Sequence, residues 1–137
     1  MALIHLDAGV VIGLLDADDA HHTPSRAAIA QALDRGDRLA MAASALAECL
    51  VGPARRGDDA VELVHQLRVR LPIEIVDLDV VIATNAARLR ARHHAVRLPD
   101  ALVIATAVVG HADRLLTTDR RWPPADELDV AVSIRAL

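Results

Sequence analysis

The sequence predicts an α/β fold, with a five-stranded parallel sheet flanked by helices on both faces. Two observations predict it. Short apolar runs alternate with longer helix-like segments along the chain, the pattern of a parallel sheet covered on both sides. The segment Pro99 to Gly110 is apolar nearly all round, as a buried helix must be. A length of 137 residues suits one domain with a core of its own.

The elements follow in order. Leu3 to Leu6 reads as a strand ending at Asp7. Ala8-Gly9 reads as a turn, and Val10 to Leu15 as a short helix. A polar loop spans Asp16 to His22. Thr23-Pro24 supplies an N-cap and a first-turn proline, and Gly36 closes that helix. Arg38 to Ala43 is the second strand. Ser44 is a suitable N-cap for the helix carrying Glu48 and Cys49, and Gly52-Pro53 is expected to break or bend it. Asp58 or Asp59 starts a helix to about Arg70, and Ile73 to Val76 is the third strand. Asp79 caps a helix through Asn85, Arg88 and Arg92. Leu98-Pro99 opens the apolar helix, Arg114 to Thr117 is the fourth strand, Thr118 to Pro124 a turn, and Val130 to Ile134 the fifth strand.

Composition narrows the function. Trp122 is the sole aromatic among Phe, Trp and Tyr, so nucleic-acid binding by stacked aromatics is nearly excluded. Cys49 is the only cysteine, which rules out an intrachain disulfide and fits a reducing compartment. The amino-terminal stretch lacks a basic region, and Ala101 to Gly110 is too short to span a bilayer. The expectation is a soluble, cytoplasmic protein without membrane contact. Net charge is −4, which alone argues weakly against a nucleic-acid partner. All 15 basic residues are arginine, a group well shaped for phosphate.

In a parallel sheet every strand ends at one edge and every following helix starts there, so ligands bind outside the strand C-termini. Asp7, Glu48, Asp100 and Asp119 all fall on that edge. So do Asp77 and Asp79, while Asp16, Asp18 and Asp19 are less fixed. Each acid has an ordinary alternative. Asp7 and Asp119 could be turn residues. Glu48 lies about 200° round the helix from Leu46 and could be solvated. Asp100 could be a first-turn acid favoured by the helix dipole. Strand order, which spacing does not supply, decides which of them meet.

The local contexts go further. Leu6-Asp7-Ala8-Gly9-Val10-Val11-Ile12 resembles the opening motif of PIN domains. Ser44-Ala45-Leu46-Ala47-Glu48 through Gly52 resembles the second acidic motif of that family. Leu98-Pro99-Asp100-Ala101-Leu102-Val103-Ile104-Ala105-Thr106-Ala107 closely matches the third, and Leu115-Leu116-Thr117-Thr118-Asp119 with Trp122 resembles the fourth. The motifs occur in order over essentially the whole chain, so 1–137 is read as one PIN domain, with a length typical of VapC-type toxins. The resemblance implies that Asp7, Glu48, Asp100 and Asp119 cluster to hold Mg²⁺ or Mn²⁺. It implies an endoribonuclease acting through metal-activated water, a homodimer, and a VapB-type antitoxin whose tail occupies the active-site groove. One departure is plain. The first motif commonly carries a hydroxyl or Asn within two residues of its Asp, where this chain has Ala8 and Gly9. An inactive or catalytically weak PIN scaffold that binds RNA or protein is therefore the alternative.

The chemistry suits these residues. Mg²⁺ binds through one or two carboxylates, waters and substrate phosphate. At about 5 Å and an effective dielectric near 20, each pair of acids repels by roughly 3 kcal/mol. A cation removes that repulsion and reverses the local potential. Asp7 and Asp100 are the expected primary ligands, with Glu48 and Asp119 completing the shell. Thr117, Thr118, Arg120 and Arg121 are the expected substrate contacts, with Arg55-Arg56 and the group Arg88, Arg90, Arg92 and Arg97 as weaker candidates. His21-His22 and His93-His94 are poor zinc sites, because adjacent histidines on a helix point apart and no cysteine pair is near. A phosphatase with an aspartate nucleophile would want a second Asp where Gly9 stands. A receiver domain would need a lysine, and this chain has none.

Overall fold

The computed structural model describes residues 1–137. Five strands, β1 (Leu3–Leu6), β2 (Arg38–Ala42), β3 (Ile73–Val76), β4 (Arg114–Thr117) and β5 (Ser133–Ala136), form one sheet in the order β3-β2-β1-β4-β5. All neighbouring pairs are parallel. Helices α1 (Ala8–Leu15) and α2 (His22–Asp34) connect β1 to β2, and α3 (Ala43–Arg56) and α4 (Asp58–Arg70) connect β2 to β3. Helices α5 (Val80–Arg92) and α6 (Leu98–Val109) carry the chain back across the sheet to β4, and α7 (Ala125–Leu128) precedes β5.

Right-handed crossovers in a sheet that first grows one way and then the other put α1 to α4 on one face and α5 with α6 on the opposite face. The packing agrees: α1 meets α2 and α3, α3 meets α4, and α5 meets α6. The middle of α6 is enclosed from Val103 to Ala107, so its nearly uniform apolar sequence matches its place against the sheet. The order β3-β2-β1-β4-β5 reverses direction between β1 and β4, and the crevice at such a reversal is where open α/β sheets bind ligands. At the other end of β1, Asp37 accepts from Ala2 N at 2.9 Å and Asp113 from Leu3 N at 2.7 Å.

Several boundaries differ from expectation, each for a local reason. Helix α1 begins at Ala8 with Asp7 as its N-cap, so Ala8-Gly9 is helix rather than turn. Helix α2 begins at His22, ahead of Thr23. Ser44 is not a cap, because β2 runs straight into α3 and Ala42 holds the extended position. Gly52-Pro53 does not break α3, which continues to Arg56 with Pro53 buried inside it. The fifth strand lies further on than Val130–Ile134. Val130 N closes α7 by donating to Ala125 O, and parallel register begins only at Ser133, opposite Arg114.

Ile104 is fully enclosed, whereas Val80 is 81% exposed. Ile104→Ala should lower unfolding free energy by about 2–5 kcal/mol in urea titration, while Val80→Ala should stay within about 0.5 kcal/mol of wild type.

Candidate active site

Asp7 stands where β1 ends and α1 begins. Its Oδ1 accepts from Ala8 N and its Oδ2 accepts from the Thr117 hydroxyl, both at 2.8 Å. Thr117 closes β4, the strand beside β1, and its oxygen also accepts from Asp119 N at 3.1 Å. One threonine therefore ties the first acid to the backbone of the last. Asp7 is 8% exposed and Thr117 is 0% exposed. Thr117 was expected to meet substrate; being fully enclosed with its hydroxyl engaged twice, it braces Asp7 instead.

The other acids converge on the same crevice. Glu48 comes from the second turn of α3, Asp100 from the first turn of α6, and Asp119 from the segment after β4. Burial raises the Asp7 pKa to about 6; the hydrogen bonds from Thr117 and Ala8 oppose this, and the charges of Asp100 and Glu48 add to it. Glu48 is also raised, first by partial burial and then by Asp100, against an opposing effect of Arg97. Asp100 is raised by burial, with Asp119 adding to the effect and Arg97 opposing it. Asp100 thus feels burial and a neighbouring acid beyond any helix-dipole effect on a first-turn acid. Asp119 differs from the other three, because Arg121 holds it below the usual carboxylate range.

Two arginines rim this cluster. Arg121 donates to Asp119 from Nε and from an η nitrogen, each at 3.1 Å, and its backbone N–H donates at 2.9 Å. Arg97, an exposed N-cap residue, lies 3.9 Å from Asp100 and lowers the pKa values of Glu48, Asp100 and Asp119 alike. The sequence favours Arg120-Arg121 over Arg97 as substrate contacts, although Arg97 stands three residues before Asp100 at a helix start, a spacing that brings side chains together. The Trp122 ring N–H is buried and close enough to Asp100 to lower its pKa, yet it reaches no partner at hydrogen-bond geometry. Arg120 is exposed.

The remaining candidates lie elsewhere. Asp77 is exposed at the end of the edge strand β3, and Asp79 caps α5 by accepting from Ile82 N at 2.8 Å. His21 pairs with Asp19, whereas His22 Nδ1 lies 2.8 Å from Gly13 O. Arg88 and Arg92 border a separate hollow of about 210 Å³ between α5 and α6. Cys49 is buried, with its thiol 3.7 Å from Ala8 O and its pKa pushed up to about 12 by burial and then by Asp7 and Glu48. That makes it a poor nucleophile.

As placed, no three side chains of His, Cys, Asp or Glu form a group that could hold a metal ion. The donor set nevertheless suits a hard divalent cation. It consists of carboxylate oxygens alone, Asp7 is prefixed by two hydrogen bonds, and Mg²⁺ takes only one or two carboxylates while keeping waters. Repulsion and burial raise the metal-free pKa values, and a cation would reverse that.

Residues 4–128 match the PIN-domain family profile. The chain belongs to the PIN-domain family. Its PIN fold is shared with several solved structures. VapBC-1 from nontypeable Haemophilus influenzae has a TM-score of 0.71 at 15% identity, covering 98% of this chain and 97% of that one. VapBC2 from Rickettsia felis, bound to a promoter DNA fragment, has a TM-score of 0.69 at 15% identity, covering 98% of both chains. VapC20 from Mycobacterium tuberculosis, a sarcin-ricin loop cleaving toxin, has a TM-score of 0.65 at 16% identity, covering 82% of this chain and 86% of that one. No curated protein matches the sequence.

The raised Asp7 pKa fixes a sign. The folded protein binds this proton more tightly than the unfolded chain. Ionised Asp7 therefore destabilises the fold above about pH 6, and the penalty is relieved as pH falls toward the ordinary value of 3.8. Asp7→Asn should be the more stable protein in EDTA near neutral pH. Its advantage over wild type should shrink by up to about 3 kcal/mol on acidification, read from urea unfolding across that range. A constant gap would show that Asp7 is not held out of its ordinary range.

Proposed function

We propose that this chain is a Mg²⁺- or Mn²⁺-dependent endoribonuclease and the toxin half of a VapBC-type toxin–antitoxin pair. The observation carrying this reading is the convergence of Asp7, Glu48 and Asp100 on the crevice at the sheet reversal, where burial and at least one neighbouring acid act on each of them. Asp7 and Asp100 are assigned as primary metal ligands, with Glu48 and Asp119 completing the shell directly or through water. When bound, the cation supplies positive charge for the phosphate and lowers the pKa of water. The chain's own residues supply the order. Thr117 and Ala8 N–H fix the direction of Asp7. Glu48, more open to solvent than Asp7 or Asp100, is assigned to take the proton from the attacking water. Arg97 and Arg121 offer guanidinium groups to the RNA backbone.

The VapBC likenesses support an antitoxin partner. A groove of about 600 Å³ runs between α1, α3 and α4, walled by Ile12, Leu15, Val64 and Leu67 and bordered by Glu48. Leu63 on its lip is 56% exposed. An apolar segment of a VapB-type antitoxin would fill this groove and cover the acids. Leu78, Val80 and Val81 form a second exposed apolar patch, which fits the homodimer this reading expects. No helix is long and apolar enough to cross a membrane, in keeping with the cytoplasmic location assigned to the toxin.

The purified protein should cleave RNA with Mg²⁺ or Mn²⁺ and stop in EDTA; full activity in EDTA would remove the metal from the mechanism. Asp100→Asn should melt higher than wild type in EDTA, gain less from Mg²⁺ and lose cleavage. Asp113→Asn, at the far end of β4 where Asp113 accepts from Leu3 N, should keep cleaving. An Asp100→Asn protein that melts lower in EDTA and still cuts RNA would remove Asp100 from the acid cluster.

A further inference from the structure

Resting on the ribonuclease reading above, we propose that the Thr118 hydroxyl contacts a phosphate oxygen of the RNA and that Gly9 exists to hold it in that direction. Thr118 follows β4 and is half-buried between Thr117 and Asp119. Side chains alternate in direction along a strand. Thr117 is turned to Asp7, and Thr118 is turned to the first turn of α1. A Cβ built on Gly9 would overlap the Thr118 hydroxyl oxygen and come within 3.3 Å of its Cβ and 3.5 Å of its Cγ2. The hydroxyl thus lies against bare glycine backbone, two residues past Asp7.

Backbone conformation gives no reason for glycine at position 9. Only Gly36 and Gly57 adopt positive φ among the glycines, and Gly9, in the first turn of α1, has helical backbone that any residue can adopt. What Gly9 supplies is room. Threonine has a stiff χ1 because it branches at Cβ, so this room selects one rotamer. Any larger residue at position 9 would turn the hydroxyl away.

The surroundings favour phosphate as its partner. The crevice is dominated by carboxylates, and its two nearby arginines are drawn to Asp100 and Asp119. The Thr117 hydroxyl is consumed by Asp7 and Asp119 N. Thr118 offers a neutral donor beside the acids that no counter-charge neutralises, and threonine hydroxyls are regular donors to nucleic-acid phosphates.

The test uses the full-length protein and a fluorescent mixed-sequence single-stranded RNA with Mn²⁺, with binding of the same RNA measured in EDTA. Thr118→Val should melt near wild type and lose about 10-fold in kcat/KM, the scale of one hydrogen bond to a charged group. Thr118→Ser should stay within about twofold of wild type, because it keeps the donor. Gly9→Ala should lose as much as Thr118→Val, and the double variant should lose no more than either single, as expected when both remove one interaction. Thr118→Val cleaving like wild type, or losses that multiply in the double variant, would overturn the proposal. If Gly9→Ala does not fold, the Val and Ser variants decide alone. A wild type that binds this RNA without cutting it would refute the nuclease reading, and the same comparison would then be read as Kd, with weaker binding for Thr118→Val and Gly9→Ala but not for Thr118→Ser as the supporting result. A wild type that neither cuts nor binds would overturn both.

Discussion

The structure turns on one buried carboxylate. Asp7 sits where the central strand β1 ends beside β4, with 8% of its surface exposed, and the cost of an ionised acid there is only partly offset by hydrogen bonds to its oxygens. The fold occupies both. Ala8 N–H takes one oxygen and the Thr117 hydroxyl takes the other. The first bond also starts α1, so the acid and the helix cap are one device. The second requires β4 to lie beside β1, which is what makes the sheet reverse there. Helix placement, the crevice and the approach of Asp100 and Glu48 all follow from that neighbour relation.

Charge around this carboxylate is graded. Asp7, Glu48 and Asp100 are held above their ordinary pKa values, while Asp119 is drawn below by Arg121. The crevice therefore has a repelling interior and a rim where acid and guanidinium alternate. Under the proposed function, a hard cation would relieve the interior and phosphate would engage the rim. On that reading a net charge of −4 would be no obstacle to binding RNA, because the local field near a bound cation would govern the approach of phosphate.

Much of this was legible in the sequence, and the parts that were not have physical causes. Short, mainly apolar stretches marked strands β1, β3 and β4 at their observed limits; in β1 and β4 they are the buried runs of inner parallel strands, and in the edge strand β3 the exposed Glu74 interrupts the pattern. Cap residues misled at Ser44, because β2 enters α3 without an intervening turn. Pro53 misled because its missing N–H is tolerated inside a packed helix. The four-residue α7 is too short to show periodicity, and Asp129 ends it in a left-handed conformation. In the candidate site, Asp77 and Asp79 qualified by edge position as well as Asp7 did. Only strand order, with β3 at the margin, sets them aside. The bracing role of Thr117 depends on side-chain direction at a strand end, and a linear reading of hydroxyls near Asp119 does not distinguish inward from outward.

The bond between Thr117 and Asp7 joins residues 110 positions apart. Contacts of such separation close a long loop, whose entropy must be lost before the contact is made. A growing chain on the ribosome carries Asp7 for 110 residues before Thr117 is added, and Asp119 comes later still. Asp7 lacks its threonine brace throughout that interval. The timing of synthesis thus keeps the crevice from assembling on an unfinished chain, and truncated products that stop before Thr117 lack it altogether.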